Sequence, residues 1–511
     1  MKSYMLGVDI GTTSTKAVLF DRQGNAVKQS SIEYPLNVPE PGAAEQDPDE
    51  ILEAVKQSIR TVMKESSIDP KDLKVVSFSA AMHSLIAINQ EGKPLTPSIT
   101  WADQRSALYA EQIKAQTGLD LYKRTGTPIH PMSPLTNILW IKTDRPEVFE
   151  QTDRFIGIKE YVFHAFFKEY VIDHSIASAT GMFNLHTLDW DEEALNILGI
   201  GPEKLSRIVP TTTQFKGIEP ALAEELGLDE QVVFVIGAND GCSANLGVDA
   251  VMPGEVAITI GTSGAIRTVT DKPVIDEKGR TFCYALTENH WVIGGPVNNG
   301  GMVFRWMRDE LCSEEVQEAN RQGRDPYDLI TEKIDQVPAG SEGLLFHPYL
   351  SGERAPSWNA NARGSFFGLA IHHHREHMMR AVLEGISMNI HMVMLALEEL
   401  IGTPKEVRAT GGFAHSEVWR QMIADIFGQE VHVPKTVESA CLGAAILGMY
   451  ALGEVEDLSE VKYMVQTETI NYPDEEKNTI YNEIMPLYIR LSRMYEQEYD
   501  AIVEFQNKYT K

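Results

Sequence analysis

Only four of the 511 residues are cysteine (Cys242, Cys283, Cys312 and Cys441), and no two form a CxxC pair. That usage argues against a disulfide frame and suits reduced, buried thiols in a cytoplasm. No run of 18 apolar residues occurs, so no transmembrane helix is expected. The N-terminal apolar run stops at Asp9 and carries one lysine, too short for a signal peptide. Basic charge is scarce as well: 45 Lys and Arg stand against 73 Asp and Glu, a net charge of −28. Such an acidic excess argues against nucleic acid and against an anionic membrane as partners. Low-complexity tracts and long flexible linkers are absent. What remains, with 43% hydrophobic and 23% charged residues, is an ordinary globular chain of two or three domains.

The two halves repeat a short pattern. MLGVDIGTTS at 5–14 and VAITIGTSG at 256–264 are each an apolar run closing on Ile-Gly-Thr and small hydroxyl residues. A run of β-formers ending this way reads as a strand entering a tight turn. Gly11 and Gly261 lie almost half the chain apart, so two copies of one fold are expected, with a boundary near 245–255. Strands and helices alternate after each copy, the pattern of an α/β fold. Strands are expected at 16–20, 24–34, 73–78 and 85–88, and a hairpin at 282–293. Asp47-Pro48-Asp49-Glu50 opens a helix through Ile51, Val55, Ile59 and Val62, with an aspartate cap and proline in its first turn. Met379, Val382, Leu383, Ile386, Ile390, Val393 and Leu397 mark the clearest amphipathic helix.

Four constellations carry chemistry. In DIGTTSTK at 9–16, Gly11 lets backbone N–H groups converge on a phosphate, Thr12, Thr13 and Ser14 add hydroxyls, and Lys16 adds charge. Asp9 at the strand end suits Mg²⁺, which keeps most of its water. No Walker-type GxxxxGK[ST] is present. Alone this string is an ordinary hairpin; the second copy, Gly261-Thr262-Ser263-Gly264, makes a two-sided phosphate clamp the better reading. VVFVIGANDG at 232–241 delivers Asn239-Asp240-Gly241 at a strand's carboxyl end, where Asp240 can accept a hydroxyl proton. Thr410-Gly411-Gly412-Phe413-Ala414 lets a flat base or ribose approach the backbone. Met82-His83 with Trp101-Ala102-Asp103-Gln104-Arg105 offers donor, acceptor and charge for reading several hydroxyls. By contrast, His372-His373-His374 cannot easily converge on one ion, and reads as a solvated loop before a helix at 376.

Taken together, these strings resemble the FGGY family of carbohydrate kinases. EQDP at 45–48, LSGERAP at 350–356 and GSFFGL at 364–369 add to them, and the similarity runs from about residue 4 to 452. The resemblance implies an α/β fold of two ribonuclease-H-like (actin-like ATPase) domains with a catalytic cleft between them. Residues 1–247 would hold the sugar and the first phosphate turn, and 248–511 the nucleotide and the second. It implies ATP and Mg²⁺ as cofactors, Asp240 as base, and Asp9 and Asp240 at the metal. Gly11, Thr12, Thr13, Ser14, Lys16, Gly261 and Thr262 would hold phosphates. Gly301, Gly411, Gly412 and Ser416 would line the nucleotide, and Met82, His83, Asp103, Arg105 and Asn239 the substrate.

Within the family, GVDIGTTSTKAVLF at 7–20, HPMSPL at 130–135 and IKEYVF at 158–163 look most like bacterial members acting on gluconate, with those acting on xylulose as the rival. The expected partner is a small sugar acid or sugar, and a homodimer is compatible with it. Actin-like ATPases without a small-molecule acceptor are the distant alternative, and they have no need of the loop at 81–105. ATP and gluconate are both anions, so the site must oppose the acidic surface locally, through Mg²⁺, backbone N–H groups, Lys16 and some of His83, Arg105 and Lys159. One departure stands out: the family signature has lysine where this chain has Asn137, with Lys142 the nearest stand-in.

Overall fold

The computed structural model describes residues 3–435 and 438–509. The chain falls into two compact units, neither of them continuous in sequence. The first takes Met1–Pro253, Val269–Ile293 and Glu438–Gln466; the second takes Gly254–Thr268, Gly294–Val437 and Thr467–Lys511.

In the first unit a six-stranded sheet runs Gln214–Phe215, Val233–Asn239, Leu73–Ala80, Tyr4–Ile10, Ser14–Asp21 and Ala26–Glu33. The second, third and fourth of these are parallel, and the last three form an antiparallel meander. Ile10 pairs with Ala80 and Ala80 with Asn239, so the three parallel strands end level with one another. The Gly11 turn, the loop from Ala81 and the helix Asp240–Gly247 therefore all begin at one carboxyl edge, where α/β sheets place their chemistry.

Apolar layers cover both faces of this sheet. On one, the helix Pro48–Ser66 starts as its sequence requires, with Asp47 accepting from the Asp49 and Glu50 amides, and buries Ile51, Val55, Ile59 and Val62. Phe78 anchors the same layer, edge-on to Phe163 at 5.2 Å between ring centroids. On the other face lie Asp240–Gly247 and Ser439–Leu452, two helices that meet through backbone. A Cβ on Gly443 would stand 1.8 Å from the Ser243 carbonyl oxygen, and one on Gly247 1.8 Å from that of Ser439. Helix Ser439–Leu452 also presses on the sheet, since a Cβ on Gly7 would lie 1.9 Å from the Cys441 carbonyl oxygen. A segment late in the sequence is thus part of the first unit's core.

The second unit repeats the hairpin. Glu255–Ile260 and Gly264–Thr270 are antiparallel, and Glu255–Ile260 is parallel to Glu406–Thr410, which is parallel in turn to Val431–Pro434. Thr467–Asn471 closes that edge. The amphipathic stripe noted in the sequence belongs to Arg375–Ile401. This helix is long and apolar enough to span a bilayer by composition, but 83% of its most apolar window is buried inside the structure, as for a core helix. His372 and His374 are exposed just before it, in the expected loop.

Candidate active site

The first Gly-Thr turn is braced from three directions. Its own closure is the Gly11 amide donating to the Ser14 carbonyl at 3.0 Å. The Tyr34 hydroxyl donates to the Gly11 carbonyl at 2.6 Å, and the Gln46 amide to the Thr12 carbonyl at 2.6 Å. The Trp101 indole N–H reaches the Thr12 hydroxyl at 3.0 Å. Gln46 and Trp101 thus act in the EQDP and WADQR strings by fixing the turn, a role sequence reading missed because it requires knowing which loops meet.

Beside the turn stands a pair of carboxylates. Asp9 accepts from the Ser79 hydroxyl at 2.8 Å; burial first, then the negative charge of Asp240, push its carboxyl up to about 6. Asp240 is the first residue of its helix rather than part of a free turn. Asn239 caps that helix, its Oδ1 accepting from the Cys242 amide at 2.8 Å. Among the described residues no three His, Cys, Asp or Glu side chains are grouped to hold a metal. Magnesium does not require such a cage: one or two carboxylates, waters and substrate phosphates suffice. Asp240 is near enough to raise the proton affinity of Asp9, and a divalent cation would relieve that repulsion, so the pair fits the requirement.

The expected counter-charges are arranged differently from the sequence reading. Lys16 is held by both oxygens of Glu438, at 3.1 and 2.9 Å. Arg105 clamps Asp103 at 2.7 Å and Glu45 at 2.6 Å, with its guanidinium 4.4 Å above the Trp140 ring. Lys159, 3% exposed, pairs with Asp173 at 2.7 Å. Each cation is matched by a carboxylate of the same unit. None of the three therefore stands as an unopposed positive charge; the folded chain pairs charges that the sequence displays only singly.

The hydroxyl-reading candidates divide in the same way. Asp103 is fully buried and also accepts from the Ala44 amide at 2.9 Å. Asn239 is fully buried too, and donates through Nδ2 to the Ser175 carbonyl at 3.1 Å. Both brace backbone. Met82 and His83 sit at the carboxyl edge, Met82 half-buried, with His83 in the left-handed region at φ 68° and its Nδ1 2.8 Å from the Ala179 carbonyl oxygen. Asn137 is fully buried with neither side-chain polar atom hydrogen-bonded. Lys142 does not stand in for the missing lysine; it donates to the Leu198 carbonyl at 2.7 Å.

The second unit gathers its candidates into one cavity of about 440 Å³, lined by Gly261, Thr262, Gly301, Gly412 and Ser416. Its turn is one residue shorter than the first, Gly261 N–H donating to the Ser263 carbonyl, two positions on, at 2.9 Å. The Gly301 amide donates to the Gly261 carbonyl at 2.7 Å, and a Cβ at Gly301 would lie 2.6 Å from that oxygen. Gly411, at φ 91°, turns the strand end into the Gly412–His415 helical turn without lining the cavity. Ser416 caps Glu417–Phe427 through the Trp419 amide. Phe304, Tyr327 and Trp419 supply aromatic wall, which no spacing pattern in the chain had marked.

Comparison with known proteins agrees with this arrangement. Residues 4–247 match the N-terminal domain, and 256–452 the C-terminal domain, of the FGGY family of carbohydrate kinases. A gluconokinase of Bacillus subtilis is 55% identical over 508 residues, covering 99% of each chain. A xylulose kinase of Staphylococcus epidermidis is 28% identical, covering 96% of each. The crystal structure of a gluconate kinase from Lactobacillus acidophilus superposes with a TM-score of 0.93 at 38% identity, covering 98% of this chain and all of that one. Two braced Gly-Thr turns, a strand-end carboxylate pair and this end-to-end similarity lead to one conclusion: the chain belongs to the FGGY family of carbohydrate kinases.

Proposed function

We propose that the protein transfers the γ-phosphoryl group of ATP to the terminal hydroxyl of D-gluconate, giving 6-phosphogluconate and ADP. The observation that carries this reading is the identity of 55% across 99% of both chains with a gluconokinase, against 28% with a xylulose kinase. Residues 1–247 would provide the acceptor side and the first phosphate turn. Residues 248–511 would provide the nucleotide side, with the adenosine against Gly412, Ser416 and the aromatic wall of the 440 Å³ cavity.

In this reading Asp240 takes the proton of the terminal hydroxyl as its oxygen attacks the γ-phosphorus; the bond to the β-phosphate oxygen breaks and ADP leaves. The level ends of the parallel strands hold Asp240, Asp9 and the Met82-His83 pair at a common edge, which supports giving them one substrate. Asp9 and Asp240 would hold Mg²⁺ through water, and the ion supplies neutralisation of phosphate charge. The Gly11–Ser14 and Gly261–Thr262 turns offer backbone N–H groups and hydroxyls to phosphate oxygens. Lys16 gives two of its three N–H donors to Glu438, whose charge offsets much of what the ammonium would offer a phosphate. With the cations internally paired, magnesium and the turn amides must do most of the neutralising.

Xylulose is the second reading, favoured by a Lactobacillus acidophilus xylulose kinase structure at 38% identity and a TM-score of 0.92. Phosphorus NMR of the product separates the two, since a phosphomonoester forms only on an accepted substrate. A new phosphomonoester with gluconate and none with xylulose is expected. The reverse pattern would move the assignment to the ketose. Asp240→Asn should lower turnover by about 10²–10⁴-fold with ATP binding largely retained.

A further inference from the structure

We infer that Lys159, Asp173 and Ser175 are positioning residues for Asp240, forming a buried polar frame that fixes the backbone from which its carboxylate projects. This rests on Asp240 being the general base.

The frame begins at an irregularity in the strand Val233–Asn239. Its pairing with Leu73–Ala80 shifts register between Val235 and Ala238. Gly237 lies within the shift at φ 69°, and a Cβ there would stand 1.8 Å from the Phe78 carbonyl oxygen, so this passage requires glycine. A bulge leaves backbone groups without their usual ladder partners. Here the carbonyls of Ile236 and Ala238 accept from Lys159 Nζ at 3.2 and 2.9 Å. The third ammonium partner is Asp173 Oδ2 at 2.7 Å. Two of the contacts are hydrogen bonds to the strand that ends in Asn239, and the third is an ion pair with Asp173.

From Asp173 the frame continues in a defined sense. Its Oδ1 accepts from the Ser175 amide at 3.0 Å, the Ser175 hydroxyl at 2.6 Å and the Ile176 amide at 3.0 Å. With its hydrogen given to Asp173, the Ser175 hydroxyl presents a lone pair to the Asn239 amide at 2.7 Å. The Ser175 carbonyl accepts from Asn239 Nδ2 at 3.1 Å. Asn239 Oδ1 then takes the Cys242 amide of the helix that Asp240 opens. Asn239 is therefore gripped at both backbone and side chain, one bond before the base.

Stability alone does not account for such a frame. The Lys159 and Asp173 side chains are 3% and 1% exposed, and a buried ion pair commonly contributes no more than apolar residues of the same volume. What polar contacts of this kind do supply is direction. A displacement of about 1 Å at a reacting group can lower a rate by ~10²-fold.

The test is a double-mutant cycle of Ser175→Ala with Asp240→Asn. In the otherwise native enzyme Ser175→Ala should lower kcat by about 10–100-fold. KM for ATP and affinity for ADP should stay within about twofold, because the nucleotide cavity is lined by other residues. In the Asp240→Asn background the same serine change should alter kcat by less than about twofold, since there is no base left to orient. Equal losses in both backgrounds, or full activity of folded Ser175→Ala, would overturn the frame. Near-native activity of Asp240→Asn alone would overturn the base assignment, a separate outcome. Lys159→Met gives a second measurement: a loss confined to kcat is expected, and unchanged kcat in the folded variant contradicts the proposal.

Discussion

Replacing Gly443 by alanine sets two effects of opposite sign against each other. Gly443 lies inside the helix Ser439–Leu452, and on intrinsic propensity alone alanine there should stabilise by about 1 kcal/mol. The added Cβ, however, would stand 1.8 Å from the Ser243 carbonyl oxygen, 2.6 Å from its carbon and 3.0 Å from its Cα. All three obstacles are backbone, so no rotamer change relieves them. Ordinary contact requires the two helices to separate by roughly 1.5 Å, which opens the layer packed around Cys242, Leu246, Leu442 and Ile446. Overpacking of this kind costs about 1–3 kcal/mol, and a backbone-against-backbone approach belongs at the upper end. The net expectation is a loss of about 2 kcal/mol, or a melting temperature lower by roughly 3 °C for a unit of this size. Since the opposing helix begins at Asp240, kcat should fall with it. Thermal unfolding and steady-state turnover on the same preparation check both. A melting temperature equal to or above that of the unaltered protein would refute the steric argument, because it is what propensity alone would give.

Other perturbations follow from the same contacts. Asn137→Leu removes two buried unpaired polar atoms at the same heavy-atom count, and the variant should be more stable by about 1–3 kcal/mol in denaturant unfolding, less what its bulkier methyl groups cost in packing; a loss above about 3 kcal/mol, more than overpacking costs, would mean the amide has a partner. Arg105→Ala leaves Asp103 buried and unpaired and should destabilise by about 3–5 kcal/mol, and lysine should not restore the fork geometry; a change under about 1 kcal/mol would show the cluster to be dispensable. Burial pushes the imidazoles of His347 and His391 down to about 4. Both are neutral in the fold, whereas the unfolded chain takes up their protons near 6.5, so stability is full above that pH and falls as pH drops from 6.5 towards 4. The decline over that window should be shallower in His391→Phe, whose ring keeps the contact with Phe427; an identical decline would remove His391 from the acid response.

Local signals in the sequence located the turns and element ends well. The Gly-Thr turns, the strand ending at Asn239 and the helix opened by Asp47 each depend on residues close together in the chain, and each is found where the pattern placed it. Helix Ser439–Leu452 was not legible in the same way. It is apolar nearly all round, which says that it is buried but not against what, and its contacts pass through glycines that leave no hydrophobic stripe. The charged candidates show the same limit. Lys16, Arg105 and Lys159 read as cations available to an anionic ligand, yet their carboxylate partners lie 422, between 2 and 65, and 14 positions away in sequence, and only folding reveals the pairing. Asp103 and Asn239 likewise carry side chains suited to a sugar but use them on backbone. Asp240 was recognisable because a strand end is a local feature, whereas the frame that holds it depends on three segments brought together.

Initial rates of ADP release at saturating ATP and Mg²⁺ test the central claim most directly, with D-gluconate, D-xylulose, glycerol or no acceptor in otherwise identical reactions. Release should rise by at least about 10²-fold with gluconate over the acceptor-free rate, as expected when a bound hydroxyl replaces water as nucleophile, and by far less with the other two. A rate indifferent to gluconate would contradict the account.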